Sequence, residues 1–216
     1  MTKIVFLSDT HGQHKKLSMP EGRIVVHCGD ALNRGYLQEA VYFAEWFSEL
    51  PYEHKIYVPG NHDASLEDDY VLEIFRKSGI YVLIDNRVML NGIRFHGSPW
   101  TPIYGNWSFM DYDYRLKDRF NKIQEGCDVL ITHGPPYSVL DTNIYGENCG
   151  SVSLLNIVNE VKPKIHVFGH IHEAWGKKQT ADTLFMNVSI LDRNYDVDRL
   201  REPVVLDYNP ERKENA

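Results

Sequence analysis

Lys164-Ile165-His166-Val167-Phe168-Gly169-His170-Ile171-His172 is an apolar run that stops at a glycine and then offers two histidines two positions apart. In extended backbone, residues i and i+2 point to the same face, so both imidazoles leave the strand end toward one point. Two ring nitrogens aimed at one point are a metal-ligand arrangement. The pair alone also fits packed or solvated side chains, since the chain has ten histidines. Four other apolar runs end in the same chemistry, however, and packing does not explain that recurrence.

The first of these strands, Lys3 to Leu7, runs into Ser8-Asp9-Thr10-His11-Gly12, where a carboxylate and an imidazole again sit at i and i+2. The second, Arg23 to Cys28, ends in Gly29-Asp30, and the third, Lys55 to Val58, meets Pro59-Gly60-Asn61-His62-Asp63. The fourth, Asp128 to Thr132, delivers His133 to the loop Gly134-Pro135-Pro136. Between them, apolar spacing predicts helices over Gly35 to Leu50, Leu66 to Lys77 and Tyr114 to Ile123, and a fourth from an N-cap at Ser151 to Val161. Short strands are expected at Ile80 to Ile84, Arg87 to Leu90 and Ile93 to His96, the last two joined by the hairpin signal Asn91-Gly92. Two β-rich runs, Thr183 to Val188 and Pro203 to Tyr208, are expected to complete a second sheet, with a polar tail, Asn209 to Ala216, that frays.

Ligands of open α/β sheets bind outside the carboxyl ends of the strands. That edge collects Asp9, His11, Asp30, Asn61, His62, His133, His170 and His172. Carboxylate, amide and imidazole donors without a thiolate suit Mn²⁺, Fe or Zn²⁺. Two aspartates, an asparagine and at least four of these histidines exceed one tetrahedral ion and suit two metals sharing a bridging carboxylate, an arrangement that clamps both oxygens of an in-line displacement. His14, His27, His54, His96 and His166 lack this placement and read as structural.

Length and composition bound the rest. A chain of 216 residues fits one α/β domain over residues 1–216, with 43% hydrophobic and 25% charged residues as in ordinary globular proteins. No apolar run approaches a membrane span, and the first strand begins at once without a signal peptide, which places the protein in a cytoplasm and off the membrane. Three cysteines without C-x-x-C spacing argue for reduced thiols. A net charge of −7 leaves no basic stripe for long nucleic acid but allows a small anionic substrate, since bound cations reverse the local field.

The blocks Asp9-Thr10-His11, Gly29-Asp30, Gly60-Asn61-His62-Asp63, Thr132-His133-Gly134 and Gly169-His170-Ile171-His172 together resemble the calcineurin-like metallophosphoesterase superfamily, in that family's order. Finer features, among them Gly97-Ser98-Pro99-Trp100 and His133-Gly134-Pro135-Pro136, resemble its small stand-alone branch related to class III cyclic-nucleotide phosphodiesterases. The resemblance implies an αββα sandwich of two sheets with helices outside. It further implies one metal on Asp9, His11, Asp30 and His172, and a second on Asp30, Asn61, His133 and His170. His62 would contact the phosphoryl oxygens and protonate the leaving group, while a water between the two cations would attack phosphorus directly. One position departs from the family pattern: Asn33 stands where an aspartate often orients the catalytic histidine, and Arg34 beside it is a candidate phosphoryl contact.

The leading expectation is a dinuclear metal-dependent phosphodiesterase for small substrates, cyclic nucleotides among them, loaded with Mn²⁺ and with Fe or Zn²⁺ as alternatives. A phosphomonoesterase, a protein phosphatase and a non-catalytic metal-binding scaffold are the competing readings, and a homo-oligomer stays open. The aromatic stretch Trp100 to Tyr114 is either a loop packed on itself or a rim facing substrate or a subunit.

Overall fold

The computed structural model describes residues 1–210, so most of the tail expected to fray lies outside the described residues. In chain order the strands are β1 (Thr2–Leu7), β2 (Ile24–His27), β3 (His54–Tyr57), β4 (Ile80–Val82), β5 (Asn86–Leu90), β6 (Ile93–Ser98), β7 (Thr101–Pro102), β8 (Met110–Asp111), β9 (Val129–Thr132), β10 (Ile165–Phe168), β11 (Gly176–Gln179), β12 (Leu184–Asn187) and β13 (Val204–Tyr208). The helices are α1 (Leu37–Glu49), α2 (Asp69–Lys77), α3 (Asp113–Phe120) and α4 (Val152–Val161).

Two sheets form the middle of the molecule, in the orders β13-β1-β2-β3-β4 and β11-β12-β10-β9-β6-β5, and β7 pairs with β8 separately. The strands at each centre are parallel, with antiparallel partners at the margins. Central strands read as unbroken apolar runs because both faces are buried. In β1, Ile4 and Phe6 turn toward the second sheet and meet Ile131 and Val167, while Val5 and Leu7 turn outward to Phe43 and Phe47 of α1. A third cluster joins Leu116 and Phe120 of α3 and Leu154 and Val158 of α4 to Leu130 and Phe168 of the second sheet. The result is the expected αββα sandwich.

The helices start where polar side chains satisfy their first amides. Ser151 accepts from Leu154 N at 3.0 Å as predicted, and the Glu39 carboxylate of α1 reaches back to Tyr36 N at 3.1 Å. Two expectations about strands are corrected. Thr183 to Val188 does join the second sheet as β12, but the run from Pro203 to Tyr208 crosses to the first sheet and pairs antiparallel with β1. β11, Gly-Lys-Lys-Gln, is an additional strand that carries no apolar alternation to announce it.

Five parallel strands, β1, β2, β3, β9 and β10, end at one edge of the sandwich. There the sheets are stitched together: Ser8 N donates to Val188 O at 3.1 Å and Ile190 N to Ser8 O at 2.9 Å. Away from this edge, His14, His96 and His166 are buried in apolar packing, which pushes them down to about 4, about 4 and about 3. His166 donates from Nε2 to Thr132 Oγ1 at 2.8 Å, because that hydroxyl already donates to Gly134 O, and its buried Nδ1 has no partner. Unfolded histidines titrate near 6.5, so between there and about pH 4 the unfolded chain binds more protons. The contribution of these three histidines is therefore complete above pH 6.5 and falls through that window, by ~1.4 kcal/mol per histidine for each pH unit that separates its folded and unfolded titrations. Urea midpoints of the metal-free protein at pH 7.5, 5.5 and 4.5 should decline, and His166→Gln should flatten the decline; a constant midpoint would contradict it.

Candidate metal centre

Three of the five strand ends, those of β1, β2 and β10, deliver their side chains through a bend that ordinary residues avoid. Asp9, His11, Asp30 and His170 all have positive φ, at 55°, 39°, 55° and 69°. Non-glycine residues sit there at a cost, and such strain collects where geometry serves chemistry. The close approach of neighbouring loops has its own requirement. A Cβ on Gly169 would collide with the Asp9 carboxylate and with Ser8, and one on Gly60 would collide with Asp30 and His133.

The bends bring all the expected ligand-type residues to one place. Asp9, His11 and His172 offer donor atoms within 4.8 Å of one another; so do His11, Asp30 and His62, and so do Asp30, His133 and His170. Asn61 lies against this last group, its Oδ1 3.0 Å from His133 Nε2. None of the histidines read as structural belongs to a ligand cluster among the described residues.

Backbone contacts fix which ring nitrogen points inward. His133 donates Nδ1–H to Cys28 O at 2.9 Å, and His172 donates Nδ1–H to Asp192 O at 3.0 Å, since a carbonyl can only accept. Each Nε2 is thereby turned to the cluster, 3.3 Å from Asp30 Oδ2 and 3.4 Å from Asp9 Oδ1 respectively. A carbonyl on the far nitrogen is the usual outer support of a metal-bound histidine. His11 is buried with neither ring nitrogen partnered, an arrangement that costs about 1–3 kcal/mol unless something fills it. These donors fit divalent metal ions.

The charges agree with that fit. Burial disfavours ionised Asp9 and Asp30, but His172 beside the first and His133 beside the second hold both carboxyls below their ordinary value. Burial also works against His133, yet the Asp30 carboxylate overcomes it and carries the imidazole to about 9. The aspartates are thus anionic at neutral pH, and without a cation a histidine proton balances them.

Three supporting residues are given no role in the sequence reading. Asp63 is buried and accepts from the amides of Asp30 at 2.8 Å, Gly60 at 2.6 Å and Leu32 at 3.0 Å, so it shapes the two loops that carry Asp30 and Asn61. Burial and the charge of Asp30 raise it to about 6. Its signal was its place directly after His62. Ser189 donates from its hydroxyl to Asp9 Oδ2 at 2.8 Å and from its backbone N–H to Asn187 Oδ1 at 3.2 Å, while Asn187 Nδ2 donates to Ile171 O at 2.8 Å. Nothing in β12 announced that pair.

His62 stands at the mouth, half-buried. Its backbone N–H donates to Asp30 Oδ1 and its Nδ1 donates to the main-chain carbonyl of Asn33, both at 2.8 Å. The contact expected of Asn33 exists, but the carbonyl makes it in place of the exposed side chain. Arg34 is exposed beside it. The aromatic stretch divides: Trp100 and Phe109 pack inward, with Trp100 Nε1 on Asp85 at 3.1 Å, whereas Trp107 lies 4.2 Å from the His62 ring and Tyr104 reaches Asn61. Tyr195, from the charged bend before β13, covers His11 and His172 at 4.9 and 5.0 Å.

Human metallophosphoesterase domain-containing protein 1 is 34% identical over 232 aligned positions, covering 95% of this chain and 71% of its own. A UPF0046 protein of Caenorhabditis elegans is 32% identical over 95% of this chain and 80% of its own. Among solved structures, the phosphopantetheinyl hydrolase of Mycobacterium tuberculosis shares the fold with a TM-score of 0.68, at 14% identity, over 94% of this chain and 95% of that one. The sequence pattern of the calcineurin-like phosphoesterases matches residues 2–174, which include every clustered ligand-type side chain, so the chain belongs to that family of metal-dependent phosphoester hydrolases.

Proposed function

We propose that this protein hydrolyses small phosphodiesters with two divalent cations, Mn²⁺ by preference, in the cytoplasm. The observation that supports it most directly is the shared position of Asp30, which belongs to two of the three donor clusters. Asp9, His11 and His172 would hold one cation with Asp30, and Asn61, His133 and His170 the other. Such a pair supplies Lewis acidity and lowers the pKa of water from about 15.7 toward 7.

The chain's own groups do the rest. With its Nδ1 proton given to the Asn33 carbonyl, His62 turns Nε2 outward, where a protonated ring can hold a phosphoryl oxygen and then give its proton to the departing one. Arg34 is suited to pair with a phosphoryl oxygen at the rim. Trp107 and Tyr104 present flat apolar faces to a base or similar group.

The test is direct. Protein loaded with Mn²⁺ should hydrolyse bis(p-nitrophenyl) phosphate faster than p-nitrophenyl phosphate, lose activity on chelation and regain it on Mn²⁺ addition. A monoester preference would make it a phosphomonoesterase, and turnover indifferent to chelation would reject the metal-dependent reading altogether.

A further inference from the structure

Beside His170 and His172 lies a cleft of about 470 Å³ whose other wall, Arg193-Asn194-Tyr195, the hydrolysis itself does not require. That wall is built, not loose. Asp192 Oδ1 accepts from Asn194 N at 2.9 Å and Asp196 N at 3.1 Å, and Arg201 donates to the carbonyls of Ser189 and Leu191 at 3.1 and 2.8 Å. Tyr195 is pinned against two histidines of the metal centre, which fixes the segment's distance from it.

Neighbouring charged side chains already make contacts. Arg199 pairs with Asp196, and across the cleft Glu173 receives the Ile144 amide at 2.9 Å. Arg193 differs: among the described residues its guanidinium has no partner, although it lines the cleft. An unpaired guanidinium offers a planar fork of donors matched to carboxylate or phosphoryl oxygens. On a chain with net charge −7 it also offsets the repulsion that a doubly anionic substrate would meet.

We propose that this cleft is a substrate-tail subsite in which Arg193 binds a second anionic group, carboxylate or phosphoryl, carried by the phosphoester. The inference rests on the phosphoesterase reading, because the metal-side histidines set where the reacting phosphoryl group lies. It makes Arg193 a specificity residue: it selects which esters are held and takes no part in bond breaking.

Phosphonates, which are not hydrolysed, separate the two ideas by binding alone. Calorimetric titration of the Mn²⁺-loaded protein would compare phosphonoacetate, 3-phosphonopropionate and 4-phosphonobutyrate with alkylphosphonates of equal length, and propylene-1,3-bisphosphonate with propylphosphonate for the phosphoryl case. At least one anionic tail should bind about fivefold to tenfold more tightly than its alkyl counterpart, as expected for a charge-assisted contact near the surface. Arg193→Ala should bring that ratio to within about twofold, with Arg193→Lys between. A ratio near one at every length in the wild type overturns the subsite, and so does an advantage that survives in Arg193→Ala, which would mean the tail merely chelates metal. If bis(p-nitrophenyl) phosphate is hydrolysed and the alkylphosphonates bind, either result removes the subsite alone. If neither occurs, the hydrolytic reading falls and the subsite with it.

Discussion

Asp30→Asn is expected to lower kcat/KM for bis(p-nitrophenyl) phosphate by about 10³-fold or more, equivalent to ~4 kcal/mol of transition-state stabilisation. The carboxylate has no spare oxygen: Oδ1 accepts the His62 amide at 2.8 Å, and Oδ2 lies 3.3 Å from His133 Nε2 and 3.9 Å from His11 Nε2. An amide keeps one of these roles and turns N–H donors toward nitrogens that must themselves donate electron pairs. The backbone should hold, since Asp63 gathers three of the local amides and an asparagine Oδ1 can still accept the one from His62. Metal per chain, measured by mass spectrometry, should therefore fall while circular dichroism stays unchanged. In the metal-free variant the His133 imidazole, no longer facing a carboxylate, should titrate well below about 9. Wild-type metal content and turnover in Asp30→Asn would remove Asp30 from the centre.

Gly169→Ala should be nearly as damaging for a different reason. The new methyl group has no free space: it meets the Asp9 carboxylate and the Ser8 side chain, and both belong to the seam between the sheets. Overpacking of this kind costs about 1–3 kcal/mol. Here the displaced group is also a proposed ligand, held by Ser189 Oγ and the His170 amide, so metal content and activity should drop with stability. Gly79→Ala makes the comparison clean. Its φ is +75° with nothing within 4 Å of the added carbon, so only the backbone preference is lost, about 1 kcal/mol, with activity intact. If the two variants melt alike and both retain full metal, the close-approach account of Gly169 is wrong.

Most of the fold and the clustering of donor side chains at one edge were legible because each leaves a mark in residue type. Strands buried on both faces must be largely apolar, as Ile4–Leu7 of β1, Val129–Ile131 of β9 and three of the four residues of β10 are, and the groups gathered here to hold a cation are Asp, Asn or His. What stayed hidden was made by the main chain or by topology. The Asn33 carbonyl that holds His62 could belong to any residue, and a carbonyl has no letter in the sequence. β13 has the same half-buried alternation whichever sheet it joins, so its pattern could not say that β1 was its partner. β11 is exposed and pairs through backbone alone. Ser189 and Asn187 are short polar residues that read as turn formers until Asp9 is seen beside them. Tyr195 sits in a charged bend, where one aromatic carries no periodicity.

The pairing of residues 2–6 with 204–208 also bears on how the chain matures on the ribosome. The apolar ribbon Ile4-Val5-Phe6-Leu7 can find β2 soon after it emerges, yet its opposite flank stays bare until residues 204–208 have been translated. Bare hydrophobic edges recruit other nascent copies. Truncation before residue 204 should accordingly yield inclusion bodies, and supplying the missing ribbon as a separate peptide should rescue solubility.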